Sequence, residues 1–156
     1  MTQFLELFHP NPGNAYLLVT SKIDSVADGL YNKINEVNGK FAIALYGKGD
    51  YQNAKVEQID SLSKPFKAQP REYDRVIFYD IFSFHTNPEL LLKSAYRTLA
   101  NAAEVIIVEP KDSLDSFATK ELLEQCEYRA PHHIDDILDG YDVFTARKMH
   151  MWGNGL

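Results

Sequence analysis

Residues 73–99 read YDRVIFYDIFSFHTNPELLLKSAYRTL. A strand is predicted from Tyr73 to Ile81, and its centre, residues 76–79, is the continuous apolar run typical of a strand covered on both faces. Pro88 then stands where a helix over residues 89–100 begins, a position at which proline removes no helical hydrogen bond. This helix carries an apolar stripe at helical spacing, made of Leu91, Leu92, Ala95, Tyr96 and Leu99. A buried strand followed directly by an amphipathic helix is the repeating unit of a parallel sheet.

The same alternation continues on both sides of this unit. Further strands are predicted at residues 15–19, 41–46, 55–59 and 105–108, and further helices at 23–34 and 112–128. Ser21 and Asp24 are candidate caps of the first of these helices, and Phe117 is expected to face inward from the second. Asp139 and Gly140 form a turn signal between residues 132–138 and 141–148, which predicts a β-hairpin. The order predicts one α/β domain over residues 1–156, with a segment 1–14 before it and a tail 149–156 after it. We expect a Rossmann-like, doubly wound, mostly parallel sheet with an antiparallel C-terminal β-hairpin and helices on both faces.

Composition limits the partners and the location that we expect. The formal net charge is −6, and such a surface gives little attraction to nucleic acid or anionic lipid. The single cysteine, Cys126, fits a reducing compartment. The first residues lack the basic region of a secretory signal, and no apolar run approaches the roughly 20 residues that a membrane span needs. We therefore expect a cytoplasmic protein without membrane contact, and nucleic acid is a disfavoured partner.

The segment from Tyr73 to Pro110 resembles class I S-adenosylmethionine-dependent methyltransferases. In that family the fourth strand has an aromatic-Asp-x-Val pattern, as at residues 73–76, and the next helix begins with Asn-Pro-Glu, as at residues 87–89. The fifth strand often ends in Glu-Pro, as at Glu109 and Pro110. The last helix and the hairpin are also similar, so the resemblance covers nearly the whole chain. It implies methyl transfer as the activity, with S-adenosylmethionine as the cofactor beyond the carboxyl ends of the strands.

The glycine-rich loop of that family departs most from its pattern here. Glycine is needed after the first strand because a side chain would block close approach of the backbone to the cofactor. In this chain Thr20, Lys22 and Asp24 stand at the glycine positions, and Leu18 stands at the position of an acidic residue. These side chains argue against the binding of S-adenosylmethionine.

Three residues near the next strand ends are candidates for contacts with the adenosine part of that cofactor. Tyr46 stands where the family has a carboxylate for the ribose, and it offers one hydroxyl rather than two acceptor oxygens. Asp50 lies four residues further on and could reach the same ligand, although aspartate is also common in solvated turns. Asp60 matches the residue that contacts the adenine amino group, and it could equally cap the turn after the third strand.

The fourth strand end supplies the candidates for catalysis. The resemblance gives Tyr79 and Asp80 positions that face the methyl group or the substrate. A buried Asp80 could act as a general base, or it could serve only as a turn partner. His85 in the same loop could deprotonate a substrate, but a solvated loop histidine is the alternative.

The remaining motifs are read as structural. His132 and His133 are adjacent on a predicted strand, so they point to opposite faces and cannot grip one metal ion. His150 lies between two methionines in the tail, and neighbours in a tail do not make a metal site. Trp152 is expected to pack on the sheet or across a homodimer contact, where tryptophan is enriched.

Three functional hypotheses follow. The chain is an active methyltransferase with an unusual cofactor loop, or a non-catalytic relative that became a binding or dimerisation module. The third hypothesis is a Rossmann-like protein that binds another small ligand, with Lys22 recruiting an anion near a helix N-terminus. The substituted glycines and the missing ribose carboxylate favour the non-catalytic module.

Overall fold

The computed structural model describes residues 1–149 and builds them around one seven-stranded sheet. The strands are β1 (Ala15–Thr20), β2 (Lys40–Leu45), β3 (Lys55–Gln58), β4 (Tyr73–Tyr79), β5 (Leu99–Pro110), β6 (Tyr128–Asp135) and β7 (Tyr141–Lys148). The helices are α1 (Thr2–Leu5), α2 (Ser25–Asn35), α3 (Pro88–Thr98) and α4 (Ser116–Gln125).

The strand order is β3-β2-β1-β4-β5-β7-β6. Strands β1 to β5 run parallel to one another, whereas β7 runs antiparallel to both β5 and β6. The chain moves outward from β1 to β3 and then returns to the other side of β1, so the direction of winding switches between β1 and β4. The predicted doubly wound sheet with an antiparallel C-terminal hairpin is confirmed.

Helices cover both faces of the sheet, as predicted. On one face α1 and α2 pack on side chains of the central strands, with Phe4, Leu30, Ile34, Leu18, Ile77 and Val108 buried in this layer. On the other face α3 and α4 pack on the alternate side chains, with Leu91, Leu92, Leu123, Val76, Phe78 and Ile107 buried. Because the central strands are buried on both sides, they are the near-continuous apolar runs of the sequence.

Side-chain caps fix where the helices begin. Asp24 accepts a hydrogen bond from the backbone N–H of Val26 at 3.0 Å, which confirms it as the cap of α2. Asn87 caps α3 in the same way, directly before Pro88. Serine at position 21, the other predicted cap, instead donates its hydroxyl to the carbonyl oxygen of Asp80.

The fourth helix is shorter than the sequence pattern predicts. The carboxylate of Asp115 accepts the N–H of Ala118 at 2.7 Å, so α4 begins at Ser116 rather than at residue 112. The side chain of Phe117 was predicted to face inward, but 74% of it is exposed. The predicted helix continues to residue 128, whereas β6 already begins at Tyr128.

Two connections on the β3 side of the sheet are loops. Residues 46–54 join β2 to β3, and residues 59–72 join β3 to β4, without a helix in either segment. These loops lie at the carboxyl ends of β2 and β3, where they shape the site described below. Among residues 1–149 no helix has the length and apolar character needed to cross a membrane.

Candidate functional site

The end of β1 is joined to the end of β4 by a buried threonine. Thr20 is fully buried, and its hydroxyl oxygen lies 2.7 Å from the carbonyl oxygen of Tyr79, to which it donates. The same oxygen accepts the backbone N–H of Lys22 at 3.2 Å. A side chain therefore fills the space at the first of the three glycine positions, and it holds the following loop against β4.

The second glycine position carries the cation of a small polar cluster. The ammonium of Lys22 lies 3.0 Å from Oδ2 of Asp80, 3.9 Å from Oδ2 of Asp24 and 3.4 Å from the hydroxyl of Tyr141. It also lies 5.4 Å from the ring centroid of Tyr79, within the range of a cation–π contact. The hydrogen bond with Asp80 is the main reason that the pKa of Lys22 is raised, so this side chain stays charged.

Tyr79 completes this cluster from β4. Its hydroxyl donates to Oδ2 of Asp24 at 2.8 Å and lies 3.4 Å from the hydroxyl of Tyr141. Burial, together with these hydrogen bonds and the nearby carboxylate, raises the pKa of Tyr79 far above its usual value. Tyr79 is therefore a fixed hydrogen-bond donor rather than an acid or a base at physiological pH.

Asp80 adopts an unusual backbone conformation at the tip of β4. Its φ angle is +56°, in the left-handed region that aspartate tolerates better than most residues. Its N–H donates to the carbonyl of Val108 at 2.9 Å, and its carboxylate pairs with Lys22. The candidate general base is therefore held in an ion pair on the surface of the switch point.

The loop after β4 is organised by a carboxylate whose only signal in the sequence is its place in a Glu-Pro pair. Glu109 is fully buried and accepts the backbone N–H groups of Ile81, Phe82 and Ser83 at 2.9, 2.8 and 3.1 Å. The hydroxyl of Ser83 donates to it at 2.6 Å. Burial raises the pKa of Glu109, and these four hydrogen bonds offset part of that rise. Glu109 thus accepts hydrogen bonds from three consecutive backbone N–H groups of a segment that is neither helix nor strand.

His85 is buried, so the solvated alternative for it is wrong. The backbone N–H of Asn87 donates to its Nδ1 at 2.9 Å, and its Nε2 lies 3.0 Å from the carbonyl oxygen of Lys64. An accepting Nδ1 and a carbonyl opposite Nε2 define the neutral tautomer with hydrogen on Nε2. Neither nitrogen keeps a lone pair free for a substrate in this arrangement.

Tyr46 is a second hydrogen-bond partner of the Lys64 carbonyl oxygen. Its hydroxyl donates to the carbonyl oxygen of Lys64 at 2.6 Å, and its ring packs edge-on against the His85 imidazole with centroids 5.3 Å apart. The loop from residue 60 to 66 is thus tied to β2 and to the loop after β4. The hydroxyl of Tyr46 is committed to this loop and does not stand free as a ribose acceptor.

A cleft of about 650 Å³ opens beside this loop at the ends of β2 and β3. It is lined by Tyr46, Gly47, Lys48, Glu57, Gln58, Ile59, Asp60, Ser61, Leu62, Lys64 and Pro65. The carboxylate of Asp60 is largely exposed at its rim and pairs with Lys64 at 2.8 Å, and this hydrogen bond lowers its pKa. Asp50, the other candidate for this region, is exposed.

The candidate residues therefore fall into two groups. Thr20, Lys22, Tyr79 and Asp80 meet at the switch point between β1 and β4. Tyr46 and Asp60 line the cleft beside β2 and β3, and His85 contacts Tyr46 and the carbonyl oxygen of Lys64. Across residues 1–149 no group of three or more metal-ligating side chains could hold a metal ion. His150 and Trp152 lie outside the described residues. Cys126 is buried, and burial raises the pKa of its thiol, as expected for an unreactive core cysteine.

Two positions of the family's cofactor pattern carry side chains that bond within this protein. That pattern has exposed backbone after β1, whereas the side chains of Thr20 and Lys22 here bond to Tyr79 and Asp80. The pattern also has a carboxylate for the ribose at the end of β2, where Tyr46 donates its hydroxyl to the protein itself.

Comparisons with known proteins find similarity in structure alone. No family model and no curated protein sequence matches the chain. A SAM-dependent methyltransferase from Aquifex aeolicus superposes with a TM-score of 0.73 at 14% identity, covering 95% of this chain and 89% of that chain. The CurJ carbon methyltransferase gives a TM-score of 0.73 at 12% identity, over 94% of this chain and 51% of the other.

A third similar structure contains the cofactor itself. Phosphoethanolamine N-methyltransferase 2 from Haemonchus contortus, solved with S-adenosyl-L-methionine, gives a TM-score of 0.71 at 11% identity over 96% of this chain and 52% of that chain. The present chain thus spans about half the length of the CurJ and Haemonchus proteins. At these identities the comparison concerns architecture. The chain has the fold of the class I S-adenosylmethionine-dependent methyltransferases.

Proposed function

We propose that this chain is a methyltransferase-like module that transfers no methyl group and no longer binds S-adenosylmethionine at the switch point of its sheet. The observation that carries the proposal is the ion pair between Lys22 and Asp80, whose nitrogen and oxygen lie 3.0 Å apart. It joins the two loops between which ligands enter doubly wound sheets.

Both the bulk and the polar contacts of the side chains at the switch point support this proposal. A ligand at the switch point would have to displace the Lys22 side chain from Asp80 and from the ring of Tyr79. It would also meet Thr20, which is buried and cannot rotate away without breaking its bond to β4. The cost of opening these contacts would reduce the affinity for any ligand placed there.

The candidate catalytic residues support the same proposal. A general base needs a lone pair that can reach the proton of a substrate. Asp80 is engaged by Lys22, and both ring nitrogens of His85 are engaged by backbone groups. Neither residue is thus poised to remove a proton from a methyl acceptor.

One observation favours an active methyltransferase as the second candidate. The cleft of about 650 Å³ beside β2 and β3 lies within the size range of small-molecule sites. An adenosine group could occupy it while the rest of an S-adenosyl ligand displaces Lys22. This alternative predicts binding of S-adenosylmethionine or S-adenosylhomocysteine by the unmodified protein.

Calorimetric titration with these two compounds separates the candidates. The proposed loss of cofactor binding predicts no binding heat up to millimolar ligand for the wild type. Lys22→Gly removes both the ammonium and the Cβ, whereas the matched variant Lys22→Ala removes the ammonium and keeps the Cβ. If only Lys22→Gly gains binding, the Cβ of residue 22 obstructs the ligand. If both variants gain binding, the ion pair with Asp80 is the obstacle. Micromolar binding by the wild type would overturn the proposal and support the active enzyme.

A further inference from the structure

Three side chains that take no part in the switch-point cluster form a continuous hydrogen-bonded chain. The hydroxyl oxygen of Ser116 lies 3.2 Å from Nδ1 of His133, and Nε2 of His133 lies 3.0 Å from Oδ1 of Asp142. Ser116 is the first residue of α4, and the other two residues belong to the terminal hairpin. A hydroxyl in reach of an imidazole that is itself oriented by a carboxylate is the signature of an activated nucleophile.

The fold holds this imidazole rigidly. His133 pairs with Phe144 across β6 and β7, and the two rings stack with centroids 4.6 Å apart at an angle of 13°. Its neighbour His132 is exposed and shares none of these contacts. The stacking leaves the edge of the His133 ring, with its two nitrogens, directed between Ser116 and Asp142.

Asp142 is a buried carboxylate with a second partner. Its Oδ2 accepts the backbone N–H of Asp112 at 3.0 Å. Burial alone would raise the pKa of Asp142, but the hydrogen bonds from His133 and from the Asp112 N–H and the charge of Lys111 lower it overall. An ionised Asp142 accepts hydrogen from Nε2, so the lone pair of Nδ1 faces the hydroxyl of Ser116. The two ring nitrogens are thus exchanged relative to serine hydrolases, while the roles of the three residues are the same.

The start of α4 supplies donors beside the hydroxyl. The N–H groups of Ser116 and Phe117 are the first of the helix and have no acceptor within it. Asp115 takes the N–H of Ala118 and leaves these two uncapped. An N–H from the residue after the nucleophile is a recurrent element of oxyanion holes. The exposed ring of Phe117 provides apolar surface next to the same point.

We propose that Ser116 is the nucleophile of an acyl-transfer site that cleaves esters of short, apolar carboxylic acids. Oγ of Ser116 attacks the ester carbonyl carbon, and its proton passes to Nδ1 of His133. The bond to the alcohol breaks as His133 returns this proton to the departing oxygen. Water then attacks the acyl-serine, gives a proton to His133, and releases the carboxylic acid as Ser116 regains its proton. Asp142 acts as the positioning residue for the ring.

A fluorophosphonate probe tests the nucleophile directly, because an activated serine displaces its fluoride and keeps the phosphonate. Mass spectrometry of the labelled full-length chain is expected to place the adduct on Ser116. Ser116→Ala should abolish labelling, and His133→Gln should slow it by at least about a hundredfold. The matched controls Ser113→Ala and His132→Ala change a nearby hydroxyl and a nearby imidazole, and they should label at the wild-type rate. The rates at which these proteins hydrolyse p-nitrophenyl butyrate should rank in the same order as their labelling rates.

The role of Asp142 has its own spectroscopic readout. Nitrogen-15 chemical shifts of the His133 ring should show hydrogen on Nε2 in the wild type and a mixture of tautomers in Asp142→Asn. Circular dichroism of each variant verifies that it is folded, and Ser116→Ala removes only one hydroxyl. The proposal is overturned if folded wild-type protein carries no adduct on Ser116. It is equally overturned if His133→Gln labels as fast as the wild type.

Discussion

The ammonium of Lys22 lies 3.0 Å from the carboxylate of Asp80, and this contact joins residues 58 positions apart across the switch point of the sheet. The two side chains are 45% and 17% exposed, so solvent screens the pair only in part. The pair is thus intermediate in exposure between a surface salt bridge and a buried ion pair, two classes whose contributions to the free energy of unfolding differ greatly.

A double-mutant cycle should detect this pair. Lys22→Met keeps most of the aliphatic stem, and Asp80→Asn keeps a residue that tolerates the positive φ angle of +56°. We expect a coupling free energy of about 0.5–1 kcal/mol from urea unfolding of the four proteins. The exposed pair of Glu89 and Lys93, one helical turn apart at 2.8 Å, is the reference, and its coupling should be smaller because solvent screens it more fully. A coupling no larger than this reference would contradict the role given to the Lys22–Asp80 pair.

The loop over the cleft should loosen when the hydrogen bonds to the Lys64 carbonyl are removed. Tyr46→Phe deletes one of the two bonds that this oxygen accepts, at a net cost of about 1 kcal/mol. Local opening should then become roughly fivefold more frequent. Hydrogen exchange at the Thr86 amide, which donates to the Leu62 carbonyl at 2.9 Å, reports this opening. Tyr51→Phe removes a comparable hydroxyl that bonds Asp28, and it should leave exchange at Thr86 unchanged.

Much of the fold could be predicted because the signals for it are local. The buried strands are apolar runs and the helices have apolar stripes, so periodicity and order predict the doubly wound sheet. The prediction for Phe117 was wrong because the pattern was counted from residue 112. The cap at Asp115 starts the helix later and turns this side chain to solvent.

The geometry of the candidate site could be predicted far less well, because its contacts are distant in sequence. The sequence leaves His85 as either a group that deprotonates a substrate or a solvated loop residue, yet it is buried and bonds the loop that carries Lys64, 21 positions earlier. The three N–H groups bound by Glu109 lie 26 to 28 positions before it. A chain of Ser116, His133 and Asp142 has no spacing signal at all, since helix and hairpin must first assemble.

Gly39 should be required by close packing rather than by its backbone angles. A Cβ built there would lie 2.6 Å from the carbonyl oxygen of Asn14 and 2.6 Å from the side chain of Ile34. The carbonyl of Asn14 also accepts the N–H of Lys40 at 2.9 Å, so it cannot move without cost. We expect Gly39→Ala to lower the free energy of unfolding by about 1–3 kcal/mol. Gly49→Ala, whose Cβ would contact only the flexible end of Leu45 at 3.2 Å, should change it by less than about 0.5 kcal/mol.

Acid should lower the free energy of unfolding in part by protonating Asp142. Its pKa is lower in the folded protein than the ordinary value of 3.8, so the unfolded chain binds a proton more readily than the native state does. The stabilisation is therefore complete well above pH 3.8 and is lost as the pH falls through this value towards the folded pKa. Asp142→Asn removes this titration, and its unfolding free energy should fall less steeply than that of the wild type below about pH 5.

Urea unfolding of both proteins at a series of pH values between about 3 and 7 measures this difference. Asp139→Asn changes an exposed carboxylate in the turn of the same hairpin and is the matched control for the loss of one charge. Because Asp142 receives hydrogen bonds from both His133 and Asp112, its protonation also releases the imidazole ring and the start of the loop before α4. Equal slopes for the wild type and Asp142→Asn would mean that these two bonds do not hold the carboxylate in its ionised form.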